Sequence, residues 1–353
     1  KDLIVDYIDI DLPKSGLYKN QMMMLDILAN NDWKRPIYFT GGSYNDSEYI
    51  WMKDYLQLDG LVYKLVPIQT KISKENPYEL GRIDSELMYN IVKGWEWGNA
   101  QSPDIYHDPE TRKNSISFRG NLHRLAEKLI EDGEYEKSEK ILDLSLEKMP
   151  LEYFGFYSLV EPYISTYYSL GLFEKGDSLY KQLEKKYDQS LDYYSKLGLR
   201  ENSQFSIYTF TDQIITDTER FRTLVESSMG SNNLEFKSDA IENFVSKTNF
   251  VKEIYGDYEY YTLLIPFLET TCKFKNSGFC LDLYSNISDQ LKKRLEIFNE
   301  MNDESKAEYI ENIADGLFRF STILNTAKQN KLSEKFIENE SIFLEKIKKE
   351  LIR

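Results

Sequence analysis

Apolar and polar positions change period several times within the first 70 residues. Leu3-Ile4-Val5-Asp6-Tyr7-Ile8-Asp9-Ile10 is rich in β-formers, alternates towards its end and is closed by Pro13, the pattern of a strand. From Leu17 to Asn30 the apolar positions Met24, Leu25 and Leu28 fall at helical spacing. Pro36-Ile37-Tyr38-Phe39-Thr40 is a short apolar run ended by Gly41-Gly42, and a helix-like stretch from Ser47 to Tyr55 follows. The turn signal Asp59-Gly60 then opens a further strand, Leu61 to Val66, which stops at Pro67. Strand, helix, strand, helix, strand predicts a small α/β unit over residues 1–70 with parallel neighbours.

Residues 71–117 read as a connecting region holding one helix, Ser85 to Lys93, and the aromatic run Trp95-Glu96-Trp97. From Phe118 onward the pattern is almost wholly helical, with stops at Asp132-Gly133, Met149-Pro150 and Leu170-Gly171. Further helices are expected over 191–199, 204–229, 236–250, 258–274, 279–301, 305–330 and 333–352.

A repeat test on these helices gives one good match to a tetratricopeptide frame. With Arg119 in first position, Leu125 and Ala126 take the large–small pair, Gly133 the turn, Tyr135 the start of the second helix, Ser138 the small slot at the helix crossing, Leu142 the next apolar slot and Pro150 the terminating proline. Leu122 replaces the usual Trp. A second frame from Tyr157 places Tyr163, Tyr167, Gly171, Phe173, Gly176 and Tyr180, but Ile164 fills a small-residue slot and Asp188 stands where the proline belongs. The expected fold class is therefore mainly α: a tetratricopeptide-like α–α superhelix over 118–353, preceded by the small α/β unit.

Composition narrows the function classes. The 353 residues carry 44 Lys and Arg against 59 Asp and Glu, a net charge of −15, which argues against a nucleic-acid partner because such affinity rests on cations set against phosphates. With only 17 Gly and 9 Pro the chain lacks the turn-formers of an all-β sandwich, and 41% hydrophobic content is too rich for disorder. No secretory leader pattern and no run of about 18 apolar residues is visible. The start at Lys1, with no Met and a strand pattern at once, suggests a piece of a longer protein. Cys272 and Cys280 flank Lys-Phe-Lys-Asn-Ser-Gly-Phe; they read either as a disulfide, which needs an oxidising compartment, or as two unpaired small hydrophobes.

Candidate chemistry is sparse. Asp9-Ile10-Asp11 is a carboxylate pair of the kind that can hold a hard cation against a diphosphate, and Gly41-Gly42 follows a strand where backbone N–H groups can meet an anion. Together Asp9, Asp11, Gly41 and Gly42 form an alternative ligand site for a stand-alone enzyme, at strand ends where α/β sheets bind ligands. Solvent-facing acids and a plain turn are the simpler readings. The two histidines, His107 and His123, have no metal-type partner at short spacing, and no nucleophile motif accompanies them. Tyr153-Phe154-Gly155-Phe156-Tyr157 is a candidate binding surface for peptide or sugar, through Tyr153, Phe156 and Tyr157, joined by Trp95 and Trp97 if the connecting region folds back. Packing between helices is the plainer explanation. No catalytic residue, cofactor or metal is assigned.

Two blocks carry a resemblance. Residues 24–40, from Met24-Leu25-Asp26 through Asn31-Asp32-Trp33-Lys34-Arg35-Pro36 to Thr40, and residues 55–68, around Leu58-Asp59-Gly60-Leu61, are followed by Trp97-Gly98-Asn99 and the first repeat-like unit. Over about residues 18–188 the chain resembles the soluble C-terminal region of a family of bacterial multi-spanning membrane proteins of unknown function, likened to protein O-mannosyltransferases of the GT-C glycosyltransferase superfamily. The resemblance implies an extracytoplasmic, periplasmic helical-repeat module without a membrane span of its own. Its partners would be the membrane-embedded N-terminal region of the same protein and an acceptor protein. Catalytic acids in that superfamily lie between membrane spans, so none is carried over to this chain.

Overall fold

The computed structural model describes residues 3–10, 12, 16–40, 50–71, 80–198, 210–268 and 277–351. Asp11, Gly41, Gly42 and Cys272 lie outside them. The protein is mainly helical with a small three-stranded sheet near its beginning, as the pattern predicts. It divides into two compact units, 1–171 and 172–353. The division falls at Gly171, the turn of the second repeat frame.

The first unit opens with helix α1 (Lys19–Asn31), followed by β1 (Tyr38–Thr40), a 3-10 turn (Ile50–Tyr55), β2 (Leu56–Asp59) and β3 (Val62–Leu65). The sheet order is β1-β3-β2 and every pairing is antiparallel, which corrects the expected parallel unit. The reason is local. Asp59 pairs with Val62, so only Gly60 and Leu61 separate β2 from β3. A parallel crossover needs a dozen or more residues, whereas a two-residue hairpin needs a positive φ such as the +70° of Gly60.

The expected first strand is also corrected. Residues 3–10 contribute a single bridge, Ile4 to Ile68, because a bend at Asp6 and Tyr7 breaks the alternation. Val5, Ile8 and Ile10 instead pack with Met24, Leu28, Ile37 and Phe39 around buried Met52, Tyr55 and Leu65. All four residues of β2 are buried, since its other edge meets Arg82: Leu58 N–H donates to the Arg82 carbonyl and Arg82 N–H to that of Leu56, each at 2.9 Å. Buried Gln57 is satisfied in turn by Asp59 and the Arg82 guanidinium.

Helix α2 (Ser85–Lys93) has the predicted bounds, with Asp84 capping Leu87 N–H and Met88 and Val92 buried one turn apart. Helix α3 (Pro109–Glu131) starts nine residues before Phe118, which shortens the connecting region. Asp108 accepts from Glu110 and Thr111 N–H, and Pro109, lacking an N–H, suits the first turn.

Gly133, at φ +80°, turns the chain into α4 (Tyr135–Lys148). The two helices pack with Ser138 fully buried at the crossing, its hydroxyl donating to the Ala126 carbonyl at 2.8 Å. α5 (Leu151–Phe154), a 3-10 turn (Tyr157–Leu159) and α6 (Glu161–Ser169) complete the unit. Asn121 and Arg124 of α3 donate to the carbonyls of Gly60 and Gly81, so α3 holds both the hairpin turn and the segment beside β2.

The second unit begins with α7 (Phe173–Gly198), one continuous helix where the sequence suggested a break before 191. α8 (Thr211–Ser228) and α9 (Leu234–Thr248) pack against it through a chain of rings: Tyr180–Phe236, Tyr187–Phe221, Phe221–Phe244 and Phe244–Phe267, at centroid distances of 5.1–5.8 Å. α10 (Val251–Tyr255) and α11 (Asp257–Leu263) lead to α12 (Ser277–Glu300), α13 (Asp303–Glu308), α14 (Ile310–Gln329) and α15 (Glu334–Leu351). Buried Glu340 of α15 accepts from Ser288 and pairs with Lys292 of α12, each at 2.5 Å. Cys280 is disulfide-bonded, which corrects the unpaired reading for that residue. No helix is long and apolar enough to cross a membrane among the described residues.

Candidate functional site

After α2 the chain reverses. Gly94 N–H closes the helix, and Gly98 and Asn99, with φ of +55° and +62°, turn residues 94–108 back along α3. Trp95 lands on the hairpin: a Cβ on Gly60 would stand 2.8 Å from its ring, so glycine is required there for space as well as for φ. The Trp95 ring meets Trp97 at 5.6 Å and Phe118 at 5.3 Å, and Trp97 meets Phe118 at 5.5 Å.

These three rings form one wall of a cleft of about 350 Å³. Leu61, Met149 and Phe154 supply further apolar lining, and Glu96, His107, Thr111, Asn114 and Ser115 the polar groups. Thr111, Asn114, Ser115 and Phe118 share one α3 face, three or four residues apart.

Most of the polar lining is already engaged. Ser115 Oγ donates to the Arg112 carbonyl at 2.7 Å, Thr111 Oγ1 to Asp108 at 2.6 Å, and His107 Nε2 lies 3.2 Å from the Ala100 carbonyl. The Thr111 hydroxyl and N–H hold the Asp108 carboxyl below its ordinary pKa. Asn114 and Glu96 are exposed and have no side-chain partner among the described residues.

Of the predicted aromatic set, Trp95 and Trp97 line the cleft and Tyr153 stands directly behind it. The Tyr153 hydroxyl accepts from His107 N–H at 2.7 Å and donates to the Ile105 carbonyl, and its ring touches those of His107 and Phe154. It clamps the returning segment to α5. Phe156 and Tyr157 stand apart from the lining, at the start of the 3-10 turn, with Phe156 in the left-handed region at φ +51°. Sequence reasoning missed Phe118, Met149 and Asn114, and within the aromatic run it favoured Phe156 and Tyr157 over Phe154, which lines the cleft. The Asp108-Pro109 start signal would have exposed the relevant α3 face.

Beneath that turn lies a buried polar cluster. Arg119, fully buried, donates to the carbonyls of Met149 (2.7 Å), Gly155 and Phe156 (3.4 Å), and burial lowers its pKa. Tyr163 donates to the Arg119 carbonyl at 2.9 Å and shares a hydrogen bond with Ser145; burial pushes its hydroxyl up to about 12. His123 stacks on Tyr163, its Nε2 2.9 Å from Thr166 Oγ1, and burial lowers it to about 4. Thr166 Oγ1 also lies 3.1 Å from the Pro162 carbonyl, and His123 Nδ1 lies 3.5 Å from the Glu127 carboxylate. This cluster fixes the wall of the unit.

Of the alternative ligand site only Asp9 is described. It is exposed, and its N–H lies 3.4 Å from Tyr55 Oη. The neighbouring cleft, about 550 Å³, is lined chiefly by Val5, Ile8, Ile10, Leu25, Leu28 and Met52 and is mainly apolar.

Residues 1–87 match the family model described as TMEM260-associated domain 2. That span holds α1, the sheet and the first residues of α2. No curated protein and no solved structure gives a significant match.

Proposed function

We propose that this chain is a non-catalytic, extracytoplasmic module of a membrane-embedded glycosyltransferase resembling protein O-mannosyltransferases, and that it engages an acceptor protein. The match of residues 1–87 to a TMEM260-associated domain ties the start of the chain to a TMEM260-like family, and the glycosyltransferase part of the reading is our own. The α3/α4 pair, with a small residue at its crossing, supports the tetratricopeptide-like reading. The observation that carries the binding role is the cleft of Trp95, Trp97 and Phe118: a cavity within the usual ligand range, built on a helix face, that sets aromatic rings beside polar groups such as Glu96 and Asn114. The disulfide at Cys280 suits an oxidising compartment.

The test is glycosyl transfer by the full membrane protein. Trp97→Ala is expected to raise KM for the acceptor about tenfold while kcat holds, because the lost contact is made equally in ground and transition states. Transfer at the wild-type KM would remove the cleft from acceptor binding. Tyr157→Ala, away from the lining, is the matched control.

A further inference from the structure

Within the second unit, α7 turns Glu184, Asp188 and Asp192, one helical turn apart, towards Asn243 and Lys247 of α9. Lys247 Nζ is taken by Asp192, at 2.9 and 3.1 Å from its two oxygens. The other two carboxyls meet at one nitrogen. Asn243 Nδ2 donates to Glu184 Oε1 at 2.9 Å and to Asp188 at 3.2 Å. Those oxygens therefore stand no more than about 6 Å apart, a range in which like charges disfavour each other's ionisation.

All five side chains are half-buried, so water screens the repulsion only in part. On α7 itself Tyr180 donates to Glu184 at 3.2 Å, Lys181 favours its charge and Asp192 opposes that of Asp188. From α9, Lys247 favours the charge of Asp188 as well as pairing with Asp192. From α8, also packed on α7, Asp217 meets Ser190 and Tyr194 and is offset by Arg220. Burial is the largest influence on both members of the pair. It outweighs the donors and raises both carboxyls above their ordinary range.

We propose that the α7–α9 seam is an acid-tightened contact: the Glu184–Asp188 pair takes a proton from solvent, loses one of two facing charges and draws α9 onto α7, and release of that proton loosens the seam. Asn243 is the positioning residue that brings the two carboxyls to one point. The sign follows from linkage. Stability from such a pair is complete below the unfolded values, 4.5 for Glu and 3.8 for Asp, and is lost as pH rises through the folded ones. This is opposite to the effect of burying His123. The proposal does not depend on what the aromatic cleft binds.

Amide hydrogen exchange in the full chain, corrected for the intrinsic pH dependence of exchange, reads the seam locally. Protection of α9 should rise severalfold between about pH 7.5 and about pH 5, while α4 in the first unit shows no such rise. Glu184→Gln copies the protonated carboxyl, and its amide can donate to Asp188. That variant should already have the higher α9 protection at neutral pH and change little on acidification. Carbon-13 titration of the carboxyls separates the pair from burial alone: in Asp188→Asn the Glu184 midpoint should move down. Wild-type α9 protection that is flat or falls towards acid would overturn the proposal. So would a loss of α9 protection in Glu184→Gln at neutral pH, or a Glu184 midpoint indifferent to Asp188→Asn.

Discussion

Taking an imidazole out of water disfavours its charged form, and His123 sits stacked on Tyr163 with its Nε2 2.9 Å from Thr166 Oγ1. Its pKa falls from 6.5 to about 4, while the unfolded chain keeps the ordinary value. Between those pH values the unfolded state binds a proton that the folded state refuses, so stability declines as pH falls from 6.5 towards 4. The loss totals on the order of 3 kcal/mol and ends below the folded value. Denaturant unfolding across that window should show a shallower decline for His123→Gln than for the wild type. Equal slopes would mean that His123 does not carry the effect. Arg119 tests the same economy with a permanent charge. Removing it by Arg119→Ala strips the buried carbonyls of Met149, Gly155 and Phe156 of their donor, at an expected cost of about 2–4 kcal/mol. Amide exchange over residues 150–157 should accelerate in that variant before any global unfolding. Arg119→Lys should not restore it, since a single ammonium cannot span the three carbonyls.

Between elements, volume decides. Ser138 is fully buried where α3 and α4 cross, and a larger side chain must force the helices apart. Ser138→Leu should destabilise by about 3 kcal/mol, whereas Ser138→Ala loses only a hydroxyl bond and should cost about 1 kcal/mol. Calorimetry that ranks the two variants alike would contradict the crossing as the critical contact. Such positions were legible because helix stops at Gly133, Pro150 and Gly171 are written locally, as are the bounds of α2. The Asp59-Gly60 turn was legible too. Its consequence was not, since whether the flanking strands run parallel depends on which of them pair. Likewise Trp95 and Trp97 stood out in the sequence, but their union with Phe118 and Phe154 depends on Gly98 and Asn99 turning the chain back. The clamp at Tyr153 joins residues more than forty apart, and no periodicity records that contact. Tyr153 was singled out as a binding residue for its aromatic neighbours, while its hydroxyl is committed to the fold.

For the molecule as a whole, compartment and chemistry constrain one another. The chain carries a net charge of −15, a bias that argues against affinity built on phosphates. The disulfide at Cys280 adds an independent constraint, because thiols of cytosolic proteins are kept reduced. Protein purified without reductant from an oxidising compartment should therefore take up no maleimide at Cys280 when denatured. The same material should be labelled there after reduction. Reduction should also lower stability by about 2–4 kcal/mol if the bond is the structural tie that a permanent disulfide in a secreted domain provides. Labelling of the unreduced protein would show that Cys280 stays a free thiol even in an oxidising compartment. It would then count against the extracytoplasmic role, whatever the cleft binds. Full protection would instead keep the disulfide as support for the proposed extracytoplasmic role, because such a bond persists only where thiols are not kept reduced.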